Sequence, residues 1–451
     1  MNIAADDRMW GSDDPAADAT STSSPGVPGR HGADRDRARA LAARLKLTID
    51  GDPDPSEQDW TALGAALNRG DPLADAAIAW MRETGRPKAW PLMERGLSGG
   101  PGAVPDDAGP LKAFLTQGWQ MPAWVDWQRV KRGAQVMQGT GEHGLMVLRD
   151  AGLMAGYQAG AINQTLLKTG ALERGAHKRI AETTTWWLAC TEEDGLQPGQ
   201  AGHRMTLHVR LMHALVRDQL ARSPEWDAEW LGLPINQVDM QATYLAFSAV
   251  HLLGLRLTGM LFAQEDADAV MHLWRVMGWL VGVEDGLMCD DEATGRVLMY
   301  RNLATQAPPD ESSALLGRAL MNEPLQRSYP FARALRGRVD RERHLSLVSW
   351  FLGPEGLRNL GLPQRKPWYP LMLMAPTMVG SVALRTLPWM EGPWRAIARR
   401  QQRAYQQGLA GREPQAPWSP KAPPPGEVAQ PGASDAARPA AGGPPPDQRN
   451  S

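Results

Sequence analysis

From residue 36 to about residue 407, apolar residues recur at helical spacing, and no convincing run alternates at the two-residue spacing of a half-buried strand. That restricts the chain to folds in which helices pack on helices. Helical segments are predicted over 38–47, 59–67, 71–81, 123–138, 143–169, 177–191, 204–221, 238–262, 265–283, 312–322, 331–351 and 390–408. Gly, Pro or Asn/Asp clusters separate them. Between Arg86 and Pro110 the pattern dissolves into Gly and Pro, which predicts a linker or long loop. The expected architecture is all-α: one large helical domain over 118–407, preceded at 36–117 by a helical extension and that linker. The ends read as disordered tails. Residues 1–35 are polar and rich in Asp, Ser, Gly and Pro, and residues 408–451 hold eleven of the 37 prolines.

Composition removes several classes of function. With 48 Lys+Arg against 50 Asp+Glu, the net charge of -2 gives no electrostatic basis for binding nucleic acid. Two cysteines, Cys190 and Cys289, are too few for a disulfide scaffold, a Cys-rich zinc site or an iron–sulfur cluster. No C-x-x-C-H is present to attach a haem covalently. No secretory layout opens the chain, so the expected compartment is the cytoplasm. The most apolar stretch, 368–384, contains Pro370 and Pro376 and is short for a membrane span. It reads as a buried or interfacial segment, and it opens the option of peripheral membrane contact. The 9 histidines remain as the main source of ligands and bases, and the 18 tryptophans and 21 methionines furnish the apolar interior.

Familiar motifs fail on context. Gly96-Leu-Ser98-Gly-Gly100 fits G-x-S-x-G, but Pro101-Gly102 follows at once and no strand feeds the serine, so it reads as flexible linker. Gly139-Thr-Gly141-Glu-His-Gly144 fits G-x-G-x-x-G after a helical run, which makes it a helix–helix turn. There is no H-E-x-x-H and no paired E-x-x-H.

Two helices survive as candidates. Over 178–190, Arg179, Glu182, Thr183, Trp186 and Cys190 share one face, a polar trio one turn from an aromatic wall. A surface Arg179/Glu182 pair beside a core Trp186 would produce the same pattern. Over 204–220, His213 sits in an apolar stripe with Val209, Val216 and Leu220, and Arg210 and Arg217 lie one turn to either side. A satisfied core histidine is the competing explanation. Together the helices match what haem b requires: a neutral imidazole for iron, apolar walls, and cations near two propionates. His213 would be the metal ligand, with Arg210, Arg217 and Trp186 as cofactor contacts. His203 and His208 are rivals off that face.

At these residues the sequence resembles the catalytic domain shared by the rubber oxygenases (latex clearing proteins) and the MpaB-type oxygenases. The likeness runs in order through Met121-Pro-Ala-Trp-Val-Asp126, Leu166-Leu-Lys-Thr-Gly170-Ala-Leu172, Arg179-Ile-Ala-Glu-Thr183, Val209-Arg-Leu-Met-His213-Ala-Leu-Val-Arg217, Leu233-Pro-Ile-Asn-Gln-Val-Asp239 and Trp274-Arg-Val-Met-Gly-Trp-Leu-Val-Gly-Val283. It implies a globin-like helical core holding b-type haem on His213, with Arg179 and Thr183 in the distal turn. It also implies O2-dependent cleavage of carbon–carbon double bonds in isoprenoid chains, so O2 and an apolar, isoprenoid-like molecule are the expected partners. The chain departs from the rubber oxygenases where Glu182 stands in place of a lysine that can cap the iron, and where Asn163 falls near their proposed glutamate base. The resulting expectation is an open distal position, with Glu182 as base or hydrogen-bond partner and Arg179 stabilising bound oxygen. The alternatives are a non-catalytic haem or O2-binding helical protein and a haem-free lipid-binding module.

Overall fold

The computed structural model describes residues 26–170 and 175–410, whose regular structure is all helical, with no strand among them. The expectations for residues 1–25 and 411–451 lie outside the described residues. The segment 26–34 is described, and it does not behave as a tail. Arg30 is fully buried and its guanidinium donates to Asp239 at 2.9 Å, while the Gly29 amide donates to the Glu229 carbonyl at 2.8 Å. His31, counted with the tail on composition, stacks on Trp60 with ring centroids 3.9 Å apart. A buried ion pair, backbone hydrogen bonds and a ring stack hold the segment down, and composition averaged over a window cannot register such individual contacts.

The 86–110 region also differs from expectation. Arg86–Gly99 is a helix with Pro91 inside it, Pro101–Ala103 a short 3-10 turn, and Gly109–Trp119 another helix. Ser98 therefore sits in the last turn of a helix, not in a linker. Gly96 is needed there because a Cβ would lie 2.3 Å from the Leu115 side chain, where the two helices touch. Ala77, Met81, Leu111, Phe114 and Leu115 belong to the same apolar core as Leu207, Leu211 and Trp274. Residues 72–119 are thus one wall of the domain, not an extension of it.

Elsewhere the predicted helices form with breaks. The 143–169 run divides into Gly141–Val147, a π-helical stretch Leu148–Leu153, a turn, and Gly160–Lys168. The wider π turn lets consecutive residues Arg149 and Asp150 both point inward, where they pair with each other and Asp150 binds the His344 ring at 2.6 Å. The 238–262 run breaks at Ser248 into Gln237–Phe247 and Ala249–Leu257. Glu292–Leu303 and Trp368–Thr386 are further helices that periodicity did not single out. The second is not buried, since only Pro370 and Ser381 of its residues are sealed from solvent.

Arg30→Ala removes the one charged contact, among the described residues, between the 26–34 segment and the Gln237–Phe247 helix. The expected loss is about 1.5–3 kcal/mol of unfolding free energy by urea titration. An unchanged midpoint would show that the segment is not fastened by this pair.

Candidate functional site

The site is built on two antiparallel helices, Ala176–Cys190 and Ala201–Ala221. Gly175, with φ of 79°, precedes the first. The turn between them needs glycine at two points of contact. A Cβ on Gly195 would lie 2.0 Å from the Ala189 carbonyl oxygen, and one on Gly202 would lie 2.8 Å from both that oxygen and the Cys190 Cα. Backbone meets backbone here, so neither neighbour can give way.

Polar contacts fix the register. The Trp186 indole donates to the Thr206 hydroxyl at 3.0 Å, Thr206 donates to the Gly202 carbonyl at 2.7 Å, and the Cys190 sulfur lies 3.5 Å from the same hydroxyl. Trp186 opposite Thr206 and Cys190 opposite Gly202 place Thr183 level with Val209, and Arg179 level with His213. Burial changes along this register. Cys190 and Thr206 are fully sealed and Trp186 nearly so, whereas Val209, His213 and Arg179 are half-buried and Thr183 is exposed. The helix pair is closed at its turn and accessible at the level of His213.

On the second helix, Met205, Val209 and His213 form a half-buried stripe at four-residue spacing, while Leu207, His208, Arg210, Leu211, Met212 and Ala214 are buried. His213 makes no hydrogen bond with any described residue, and its Nδ1 is buried and unpaired. Desolvation, reinforced by the Arg217 charge, pushes its pKa down to about 4. At neutral pH it is a neutral imidazole with its ring nitrogens uncommitted, the state a metal ligand requires. Its rivals are committed: His203 Nε2 lies 2.9 Å from the Gly118 carbonyl, and His208 is buried on another face.

Arg210 and Arg217 do not present free cations, contrary to the expectation that they await propionates. Arg210 is buried and donates to Asp71 at 2.5 and 2.9 Å and to Gln117 at 2.7 Å. Arg217 donates to Asp75 at 2.8 Å and to the Ile235 carbonyl at 2.7 Å, leaving one buried nitrogen unpaired. Asp71 caps the Pro72–Thr84 helix and Asp75 lies in its first turn, so both guanidiniums are drawn back into the protein.

Trp186 forms an aromatic wall with Phe247 and Trp274. Trp186 meets Phe247 edge-on at 5.2 Å, and Phe247 stacks on Trp274 at 5.3 Å. Trp274, which opens the last of the family-like motifs, thus belongs to this wall, and Phe247 carried no sequence signal at all. Arg179 lies near enough to Tyr157 for its charge to act on the phenol, which desolvation keeps protonated. Tyr157 was also missed, since it follows the helix break that periodicity smoothed over. Asn163 is fully buried and its amide donates to the Tyr157 carbonyl at 2.8 Å and to Ser313 at 3.2 Å. The Cys190 thiol, pushed up to about 12 by burial, is inert.

A family model described as "ER-bound oxygenase mpaB/B'/Rubber oxygenase, catalytic domain" matches residues 127–380. The chain belongs to this family. A curated relative, the rubber oxygenase of Streptomyces sp. (strain K30), is 28% identical over 227 residues, which cover 49% of this chain and 52% of that protein. The chain therefore matches about half the length of that relative. The solved structure of latex clearing protein in the closed state superimposes with a TM-score of 0.57 at 22% identity, covering 75% of this chain and 91% of the other. The two share the all-helical fold. The family match contains Arg179 to Arg217, but Asp71 and Asp75, which hold the two arginines, lie outside it.

Two outcomes follow. Asp71→Ala leaves Arg210 buried without its carboxylate and should cost about 3–5 kcal/mol in urea unfolding, more than Asp75→Ala, whose side chain is 37% exposed. Second, His143, His213 and His251 are each held near pKa 4 by desolvation, below the unfolded value of 6.5. Between those values the unfolded chain binds more protons, so their contribution is complete above about pH 6.5 and is lost as pH falls toward 4. Thermal midpoints should drop across that window, and His213→Gln should flatten the drop.

Proposed function

We propose that the chain is a haem b-dependent oxygenase that acts with O2 on an apolar, isoprenoid-like substrate, by carbon–carbon double-bond cleavage. Family membership supports the oxygenase class. The observation that carries the haem is His213, a neutral, unpaired imidazole at the accessible level of an otherwise sealed helix pair. Among the described residues no three His, Cys, Asp or Glu side chains converge as a metal-binding group. Iron held by one histidine needs a chelator that brings its own remaining ligands, which a porphyrin does. The residues fit such a group: a ligand nitrogen on one helix, and indole and phenyl groups on the same helix pair and its neighbours about two turns nearer the closed end.

When bound, haem iron supplies O2 binding and activation. The protein's own part is orientation, dryness and proton control. Trp186, Phe247 and Trp274 exclude water, and Phe247, only partly buried, offers apolar surface to a hydrocarbon chain. Arg179, beside Tyr157, places a positive charge level with His213, where it would stabilise developing negative charge on oxygen. Glu182 and Thr183 stand one turn nearer the sealed end, a carboxylate to move a proton and a hydroxyl to orient it. Asn163 has no proton to take and its amide is spent on Tyr157 and Ser313. The proposal keeps the cytoplasm as compartment, in line with two free, buried cysteines.

The test is optical. Purified protein should show a Soret band that shifts on reduction and on addition of CO, and His213→Ala should lose it. No Soret band, or one that His213→Ala leaves unchanged, would overturn the haem assignment. Polyprenyl-stimulated O2 uptake separates an oxygenase from a haem carrier, which would consume none.

A further inference from the structure

The helix Trp368–Thr386 is apolar and uncovered. Of the eighteen large apolar residues exposed among the described residues, ten fall between Trp368 and Ile397, with Leu371 60%, Met372 66%, Val379 69% and Trp389 74% exposed. No charge occurs over residues 368–384. The helix is fastened to the body along one side only: the Tyr369 amide donates to Ser346 at 2.9 Å, and Ser381 accepts from the Leu261 amide at 3.2 Å. Gly259, at φ of 93°, lets the Met374 backbone approach closely. The opposite side is exposed among the described residues.

We propose that this face is a membrane-surface docking site whose partner is an anionic phospholipid bilayer. Charge decides the occupant. Exposed Lys366 precedes the apolar run and exposed Arg385 ends it, and neither has an ion-pair partner among the described residues. Trp368 and Trp389 stand at its two ends, as indoles do at a membrane–water boundary. An apolar helix flanked by aromatic and cationic side chains lies in the interface, with its stripe in the acyl boundary and its cations at lipid phosphates. It does not cross. No single helix among the described residues is long and apolar enough to span, and Trp368–Thr386 meets the following helix at a 110° bend. That following helix is bound to the body by Arg399, which donates to the Leu188 carbonyl at 2.5 Å, and by Gln402, which donates to the Met137 carbonyl at 2.9 Å. The chain's own C-terminal residues make a poor cover, because from Gly411 to Ser451 only Trp418 and Val428 are large and apolar.

The test is sedimentation of the full chain with vesicles of phosphatidylcholine alone and of phosphatidylcholine mixed with phosphatidylserine. Binding should be about tenfold stronger or more on the anionic vesicles. Leu371→Glu with Val379→Glu, both at exposed positions, should abolish it with the thermal midpoint unchanged. Lys366→Gln with Arg385→Gln should remove the preference for the anionic lipid. Haem-free protein should bind equally, so this result stands apart from the haem assignment. Absence of binding to either vesicle, or undiminished binding by the Glu variant, would overturn the proposal. So would a solution dimer that the Glu variant dissociates, which would assign the face to a second copy of the chain.

Discussion

The site depends on what holds the far side of the His213 helix. Arg210 and Arg217 flank His213 by one turn each way, and both turn away from it, into Asp71 and Asp75 of the Pro72–Thr84 helix. A buried ion pair adds little net stability, because desolvation offsets most of the Coulomb attraction, but breaking it strands a charge in low dielectric. Such pairs are directional where apolar packing is not. They fix both the rotation and the axial position of the Ala201–Ala221 helix, and with them the direction in which the imidazole points. The positive charge of Arg217 also helps to keep His213 deprotonated. The arginines thus orient His213 and help to keep it neutral while their own charges are spent on Asp71 and Asp75.

From that fixed helix the accessible region follows by geometry. Gly195 and Gly202 allow the two site helices to meet backbone to backbone at their turn. Trp186 and Thr206 close the next level, and beyond them burial falls away at Thr183, Val209 and His213. The exposure at that level therefore follows from where the tight packing ends, not from loose packing overall. Trp186, Phe247 and Trp274, from three helices, keep the closed end apolar.

How much of this was legible in the sequence depends on whether a feature was periodic. The all-helical class and most helices were, and so was the shared face of Arg179, Glu182, Thr183 and Trp186. The Arg86–Gly99 helix was not, because its Gly and Pro serve close contact at Leu115 and a tolerated internal Pro91, and neither role shows in a local pattern. The directions of Arg210 and Arg217 were misjudged for a related reason. Helical phase says that they neighbour His213, but the carboxylates that capture them are more than a hundred residues away in the chain. Tyr157 and Phe247 sit at helix breaks, one after a π turn and one before Ser248, where periodicity carries no information.

Asn163 shows why one departure from a family pattern cannot be treated as an isolated swap. Its amide holds the Tyr157 carbonyl and Ser313, and its own oxygen is buried without a partner. Tyr157 in turn meets Arg179. A carboxylate at 163 would have no N–H to give to that carbonyl, and its charge would face a carbonyl oxygen in a sealed pocket, a repulsive arrangement. The amide is therefore built into the support of Tyr157, which lies beside Arg179. In this chain that support is neutral, and the carboxylate one turn on from Arg179 along the helix is Glu182.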